Sequence, residues 1–257
     1  MSKLLKLITF DCTETLMMFH PPVAQKYTES AEKFGISIGT EDLLSHFRVQ
    51  FKALSKNHPN FGRHTGLGWK SWWGQIVVNT FKSANPSIKN HKALEQLASF
   101  LIEEYQTNRC WALADGACDI LDMLKQKNIS IGAISNTDER LENTLMSLKI
   151  HSYFDFVLTS YSAGVMKPDK QIFDLARSQI NGHVSPGLCA HVGNSLKFDY
   201  LGAQNAGWNP IYVGPVDDEV LRMAASNTVF NNLAELHSYL EKVLPGIDEN
   251  DDTALIK

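Results

Sequence analysis

The chain runs to 257 residues, 44% hydrophobic and 20% charged, long enough to bury a sizeable core as one large domain or two modest ones. Most of its formal net charge of −4 falls at the end, where Asp248, Glu249, Asp251 and Asp252 face only Lys257; the near-neutral remainder lacks the basic footprint of a nucleic-acid binder. No apolar run approaches the roughly 20 residues of a membrane span, and the scattered Cys12, Cys110, Cys118 and Cys189 offer neither C-x-x-C spacing nor a disulfide framework.

Lys3 and Lys6 flank a short apolar run with no small-residue cleavage site after it, so no secretory signal is expected. With reduced thiols, this reads as an intracellular protein, most simply a cytoplasmic one.

In chain order, the apolar run Leu4, Leu5, Leu7, Ile8 and Phe10 stops at Asp11-Cys12-Thr13-Glu14-Thr15-Leu16. A strand that ends on a carboxylate puts it at the edge where open parallel sheets gather ligands, which makes Asp11 a candidate nucleophile. Helical periodicity follows, as in Leu43/Leu44/Phe47/Phe51/Leu54, Trp72/Trp73/Ile76/Val77/Phe81 and Leu94/Leu97/Leu101/Ile102/Tyr105. Turn chemistry at His58-Pro59-Asn60, Gly66-Leu67-Gly68 and Asn85-Pro86-Ser87 separates these helices. Trp69, Trp72, Trp73 and Trp111 read as the core of a small helical bundle. Placed just after the nucleophile, the bundle can close over it as a lid, with His58, Arg63 and His64 as the loop residues expected to face the site.

From Asp115 the texture becomes alternating helix and apolar strand. Helices are expected at Ala117 to Gln126, Glu139 to Leu148, Gln171 to Ile180, Phe198 to Ala206 and Leu233 to Val243. Strands are expected at Ile129 to Ile134, Phe154 to Leu158, Leu188 to Val192 and Pro210 to Val213. Short continuous apolar strands between helices mean a parallel sheet covered on both faces. Residues 1–16 and 113–244 are therefore read as an α/β core, 17–112 as an inserted all-helical cap and 245–257 as an acidic tail.

Polar residues follow the first three of these strands as Asp11 follows the amino-terminal one: Ser135-Asn136 after Ile134, Lys167-Pro168-Asp169 after Leu158, and Gly193-Asn194-Ser195 with Asp199 after Val192. Singly they suit helix caps, a surface lysine and a helix-dipole partner. In this order they resemble the four motifs of the haloacid dehalogenase-like hydrolase superfamily, in its branch with a helical cap between the first motif and the second core strand. The resemblance carries through Gly202-Ala203-x-x-Ala206-Gly207 and spans nearly the whole chain.

The resemblance implies a Rossmann-like parallel-sheet core with an inserted all-helical cap, and a catalytic set of Asp11, Thr13, Ser135 and Lys167. Asp11 would attack phosphorus in line to form an aspartyl-phosphate. Ser135, Asn136 and Lys167 would bind the phosphoryl oxygens, with donors at a helix N-terminus. Mg²⁺ would be held by Asp11, the Thr13 carbonyl, Asn194 and Asp199. Two positions depart from the pattern. Thr13 replaces the usual acid two residues after the nucleophile and cannot store a proton near pH 7, and Asn194 replaces a metal-binding Asp. The expectation is a slow Mg²⁺-dependent phosphatase of small organic phosphates. The alternatives are an impaired member that binds a phosphorylated ligand or a protein partner, and a 2-haloacid dehalogenase. The last wants an arginine in the halide pocket, and none lies near Asp11 in sequence, Arg48 being the first.

Overall fold

The computed structural model describes residues 5–244, so the acidic stretch 245–257 lies outside the described residues. The described residues form eight strands: β1 (Leu7–Phe10), β2 (Met17–Phe19), β3 (Trp111–Leu113), β4 (Ser130–Ser135), β5 (Phe156–Thr159), β6 (Cys189–Gly193), β7 (Asn209–Val213) and β8 (Val229–Phe230). Six of them form one parallel sheet in the order β5-β4-β1-β6-β7-β8. β1 sits centrally because every one of its residues is buried, as a strand covered on both faces requires. Phe10 aligns with Ala133 of β4 on one side and Val192 of β6 on the other. Asp11, one step further, therefore leaves the sheet at the point where the chain connects to both sides, the crevice such sheets use for ligands.

Helices α5 (Ala117–Gln126), α6 (Leu141–Ser147), α7 (Ser160–Ala163), α8 (Lys170–Arg177), α9 (Leu201–Asn205), α10 (Asp218–Met223) and α11 (Leu233–Val243) surround the sheet. A π-helical turn at Leu196–Tyr200 runs into α9. One apolar layer joins Ile8, Phe10 and Ile131 to α5 and α11 through Ile120, Leu124, Leu236 and Leu240. The opposite layer joins Leu7 and Ile134 to α8 through Ile172 and Phe173.

Between β2 and β3 lie α1 (Val23–Glu32), α2 (Thr40–Asn57), α3 (Trp69–Ala84) and α4 (His91–Glu104), packed around Tyr27, Leu43, Phe81, Leu94 and Leu97. The fold is thus α/β, with the helical insertion that the periodicities indicated. The insertion joins the core through an antiparallel ribbon in which Met17 pairs with Leu113 and Phe19 with Trp111. Strands of three residues are too short to show a period, which is why only helix was legible there. Among the described residues, no helix is long and apolar enough to cross a membrane.

Candidate active site

The end of β1 presents Asp11, 7% exposed, to a cavity of about 460 Å³. Thr13, Ser135, Asn136, Lys167, Asn194 and Asp199 line the same cavity. Residues up to 188 positions apart in the sequence are thus brought together by the parallel register of β1, β4 and β6, whose carboxyl ends lie side by side.

Lys167 organises the cluster. Its ammonium, 1% exposed, donates to Asp11 Oδ1 at 2.7 Å, Asp199 Oδ1 at 2.6 Å and the Ile134 carbonyl at 2.7 Å. Burial alone would lower its pKa, but the Asp11 and Asp199 carboxylates reverse this and hold it above its ordinary value. Asn136 holds the Lys167 peptide from both sides: its Oδ1 accepts from the backbone N–H at 2.8 Å and its Nδ2 donates to the carbonyl at 2.9 Å. The amide expected to meet phosphate oxygens thus positions the lysine.

Burial pushes the Asp11 carboxyl up, Lys167 pulls it down, Asp199 pushes it up again and Ser135 helps to lower it, leaving it at about 6. At neutral pH it is therefore an anion, as a nucleophile must be. Lys167 occupies Oδ1, whereas Oδ2 lies 3.5 Å from the Thr15 hydroxyl, and Ser135 also hydrogen-bonds the carboxylate. Oδ2 is the oxygen that the lysine leaves free.

Asp199 spends its oxygens within the protein. Oδ1 accepts from Lys167 and lies 3.1 Å from His191 Nε2, while Oδ2 accepts the Ser195 N–H at 2.9 Å. Burial would raise its pKa, but Lys167 and His191 hold it well below the usual carboxylate range. Gly193 permits this packing, since a Cβ there would lie 2.3 Å from the Asp199 Cγ. Behind the pair, His191 Nδ1 meets Thr9 Oγ1 at 2.8 Å. The network assigns the proton to Nε2, so that the ring donates to Asp199 and accepts from Thr9. Sequence reading missed His191 because it sits mid-strand among apolar neighbours, with no local feature to distinguish it from a packed core residue.

Mg²⁺ needs hard oxygen ligands and is commonly held by one or two carboxylates together with substrate phosphates and water. Among the described residues no group of three or more His, Cys, Asp or Glu side chains is placed to hold a metal. Asp11, the Thr13 carbonyl and the Asn194 amide are oxygen donors of the right hardness with a single formal charge, and so fit Mg²⁺ as a one-carboxylate site. Asp199, expected as a ligand, is already engaged by three protein donors.

Other expectations need correcting. His58, Arg63 and His64 do not line the cavity. His58 pairs with Thr65, His64 meets the Gly164 carbonyl at 2.8 Å, and Arg63 stacks on Tyr161. Two arginines, Arg48 and Arg140, do line it, so distance along the chain from Asp11 was no guide to distance in space. Donors at a helix N-terminus are also absent beside Ser135, because α6 starts only at Leu141. Of the tryptophans, Trp72 is core, but Trp73 and Trp111 form part of the cavity wall.

A family model for haloacid dehalogenase-like hydrolase matches residues 5–207. The chain belongs to the haloacid dehalogenase-like hydrolase family. Among relatives of this hydrolase, the human haloacid dehalogenase-like hydrolase domain-containing protein 3 is 32% identical over 247 residues, covering 95% of this chain and 94% of its own. The Drosophila melanogaster rhythmically expressed gene 2 protein is 33% identical over 215 residues, covering 81% and 82%. In three dimensions the chain is similar to a 2-haloacid dehalogenase from Pseudomonas syringae, with TM-score 0.63, 23% identity and coverage of 93% and 99%. It is also similar to a phosphatase of the family from Thermococcus onnurineus, with TM-score 0.58, 22% identity and coverage of 91% and 97%. At these identities the structural likeness speaks for the hydrolase fold and leaves the reaction open.

Proposed function

We propose that this hydrolase is a slow Mg²⁺-dependent phosphatase of small organic phosphates that works through an aspartyl-phosphate on Asp11. The supporting observation is a carboxylate at the end of β1 that has one oxygen held by a buried lysine and borders a cavity lined largely by apolar side chains. A carboxylate attacking a phosphate dianion meets like-charge repulsion, which Lys167 offsets and Ser135 reduces by donating a hydrogen bond. Asp199 and Asn136 keep Lys167 aimed, one through its ammonium and the other through its peptide. Bound by Asp11, the Thr13 carbonyl and the Asn194 amide, Mg²⁺ would supply the remaining charge neutralisation. Thr13 can hydrogen-bond to a leaving oxygen or a water but cannot carry a proton between them, a loss on the order of 10²- to 10⁴-fold.

The test uses acetyl phosphate, whose leaving group needs no protonation. Acid-quenched mass spectrometry with Mg²⁺ should show one hydroxylamine-sensitive phosphoryl group, absent in Asp11→Asn. If no label forms at any quench time while phosphate binding is measurable, the impaired-binder reading replaces this one; the two departures at Thr13 and Asn194 are what favour it. Arg48 and Arg140 in the cavity wall keep dehalogenation as a third reading, which halide release from 2-chloropropionate would establish.

A further inference from the structure

Charge is spread unevenly along this hydrolase. Residues 43–94, which run from α2 into α4, contain eight Lys and Arg and not one Asp or Glu, in a chain whose formal net charge is −4. Three of the eight, Arg48, Lys52 and Lys56, follow one another at four-residue intervals along α2, and all three are exposed. Side chains four apart on a helix are neighbours, and like charges at that spacing are destabilising. None of the three pairs with a carboxylate among the described residues. The stripe therefore weakens the helix that carries it, and its use lies outside cap stability.

The first member of the stripe belongs to the cavity above Asp11. Arg48 lines it together with Phe47 and Phe51 of the same helix. Among the described residues three cations line this cavity, and two of them are already neutralised. Lys167 is paired with Asp11 and Asp199, and Arg140 with Asp138 through two bonds of 2.8 Å. Arg48 has no such partner. The carboxylates in the lining, Asp11 and Asp199, are both held by Lys167 at the sheet. The cap thus contributes to the cavity a positive charge that no described carboxylate balances.

A volume of about 460 Å³ falls within the about 300–1,000 Å³ typical of small-molecule pockets, so a phosphate monoester bound at Asp11 has room for a second functional group. Much of the rest of the lining is apolar, with Val23, Phe61, Val77 and Leu101 among it. Bringing a carboxylate against such a wall is unfavourable unless the charge is paired. A guanidinium supplies that pairing, because its planar fork of donors matches the two carboxylate oxygens. The wall and the arginine therefore push a carboxylate in opposite directions, and the sign of the net effect tells which prevails.

We propose that the site takes phosphate monoesters of small carboxylic acids, that Arg48 binds the carboxylate at the end away from phosphorus, and that Lys52 and Lys56 draw such anions to the cavity through their field. The proposal rests on the phosphatase reading of Asp11. Holding the substrate at two charged ends, Lys167 at the phosphoryl group and Arg48 at the carboxylate, fixes the phosphorus in front of the nucleophile. The lysines act at longer range and govern arrival more than residence.

Binding is tested with phosphonates, whose P–C bond is not hydrolysed, by titration calorimetry on the full chain with Mg²⁺ at neutral pH and low salt. The probes are 4-phosphonobutyrate and 6-phosphonohexanoate, two lengths that sample different reaches, each beside its methyl ester, which keeps the shape and removes the charge. At one length or both the acid should bind about three- to tenfold more tightly than its ester. That ratio should shrink in about 0.5 M salt, which screens an exposed cation within a few Å. In Arg48→Gln the ratio should fall to unity or below, as the apolar wall then favours the ester; affinity for the ester shows in each variant that the cavity is intact. Lys52→Gln combined with Lys56→Gln should slow association in stopped-flow measurements while keeping most of the equilibrium preference. Esters that bind as well as the acids at both lengths, or an acid preference that survives Arg48→Gln, overturn the proposal. A preference lost equally in the lysine double variant overturns the assignment to Arg48. Labelling of Asp11 by acetyl phosphate makes no use of Arg48. Label without acid preference therefore rejects the substrate class alone, and acid preference without label rejects the reaction alone.

Discussion

Thr13 and Asn194 each remove a carboxylate from a position where hydrolysis of a phosphoryl group gains from one, and the geometry gives each a distinct consequence. Both line the cavity beside Asp11, so an acid at either place would face the reacting groups without displacing the Lys167 cluster. Thr13→Asp combined with Asn194→Asp should raise turnover of phosphate monoesters by at least tenfold, since one change supplies a proton carrier and the other an anionic metal ligand. It should also tighten Mg²⁺ binding. Steady-state kinetics with a Mg²⁺ titration check this, and a folded, Mg²⁺-binding double variant that is no faster shows that these positions do not limit the site.

Between elements, the contact that matters most is the one α3 makes with the segment joining β4 to α6. Trp73 Nε1 donates to Asp138 Oδ2 at 2.6 Å and Trp69 Nε1 to Glu139 Oε2 at 2.8 Å, while Arg140 grips Asp138 from the other side. Asp138 is fully buried, so its charge depends on these partners. Trp73→Phe removes one donor but leaves the Arg140 pair intact, and should cost about 1.5–3 kcal/mol. Asp138→Ala leaves Arg140 without its anion, and should cost more, about 3–5 kcal/mol. Thermal unfolding should rank the two in that order, with the melting temperature falling about 2–4 °C for each kcal/mol in a chain of this size.

That clasp also marks the limit of what the primary structure discloses. The helices Ala117–Gln126 and Leu233–Val243 were legible to the residue because their apolar faces repeat over several turns. Core strands were placed within about two residues, since buried parallel strands read as continuous apolar runs. The charged cluster was legible because each member follows a strand. Asp138, Arg140 and His191 were not, because their roles come from partners on other elements. Short pieces such as β8 and α10 lack the length for a period to appear. The clasp, the aromatic cavity wall and the histidine behind Asp199 are properties of packing.

For the molecule as a whole, two buried groups set opposing dependences of stability on pH. Burial and the Lys167 charge push His191 down to about 4 from an ordinary 6.5. Between those values the unfolded chain takes up a proton that the folded one refuses, so His191 makes stability fall as pH falls. Burial pushes Asp11 up to about 6 from 3.8. Over nearly the same range the folded chain takes up a proton that the unfolded one does not, so Asp11 makes stability rise as pH falls. The two largely cancel, and the contribution of Asp199, held below the usual range by Lys167 and His191, is lost only in stronger acid. Asp11→Asn removes one side of this balance while leaving the burial and the lysine that depress His191. Urea unfolding in the presence of a chelator should therefore find the variant losing about 3 kcal/mol more than the wild type between pH 6.5 and pH 4. Parallel curves for the two proteins would mean that burial does not raise the Asp11 carboxyl, and a variant that stayed level over this interval would mean that His191 is not held neutral behind the lysine.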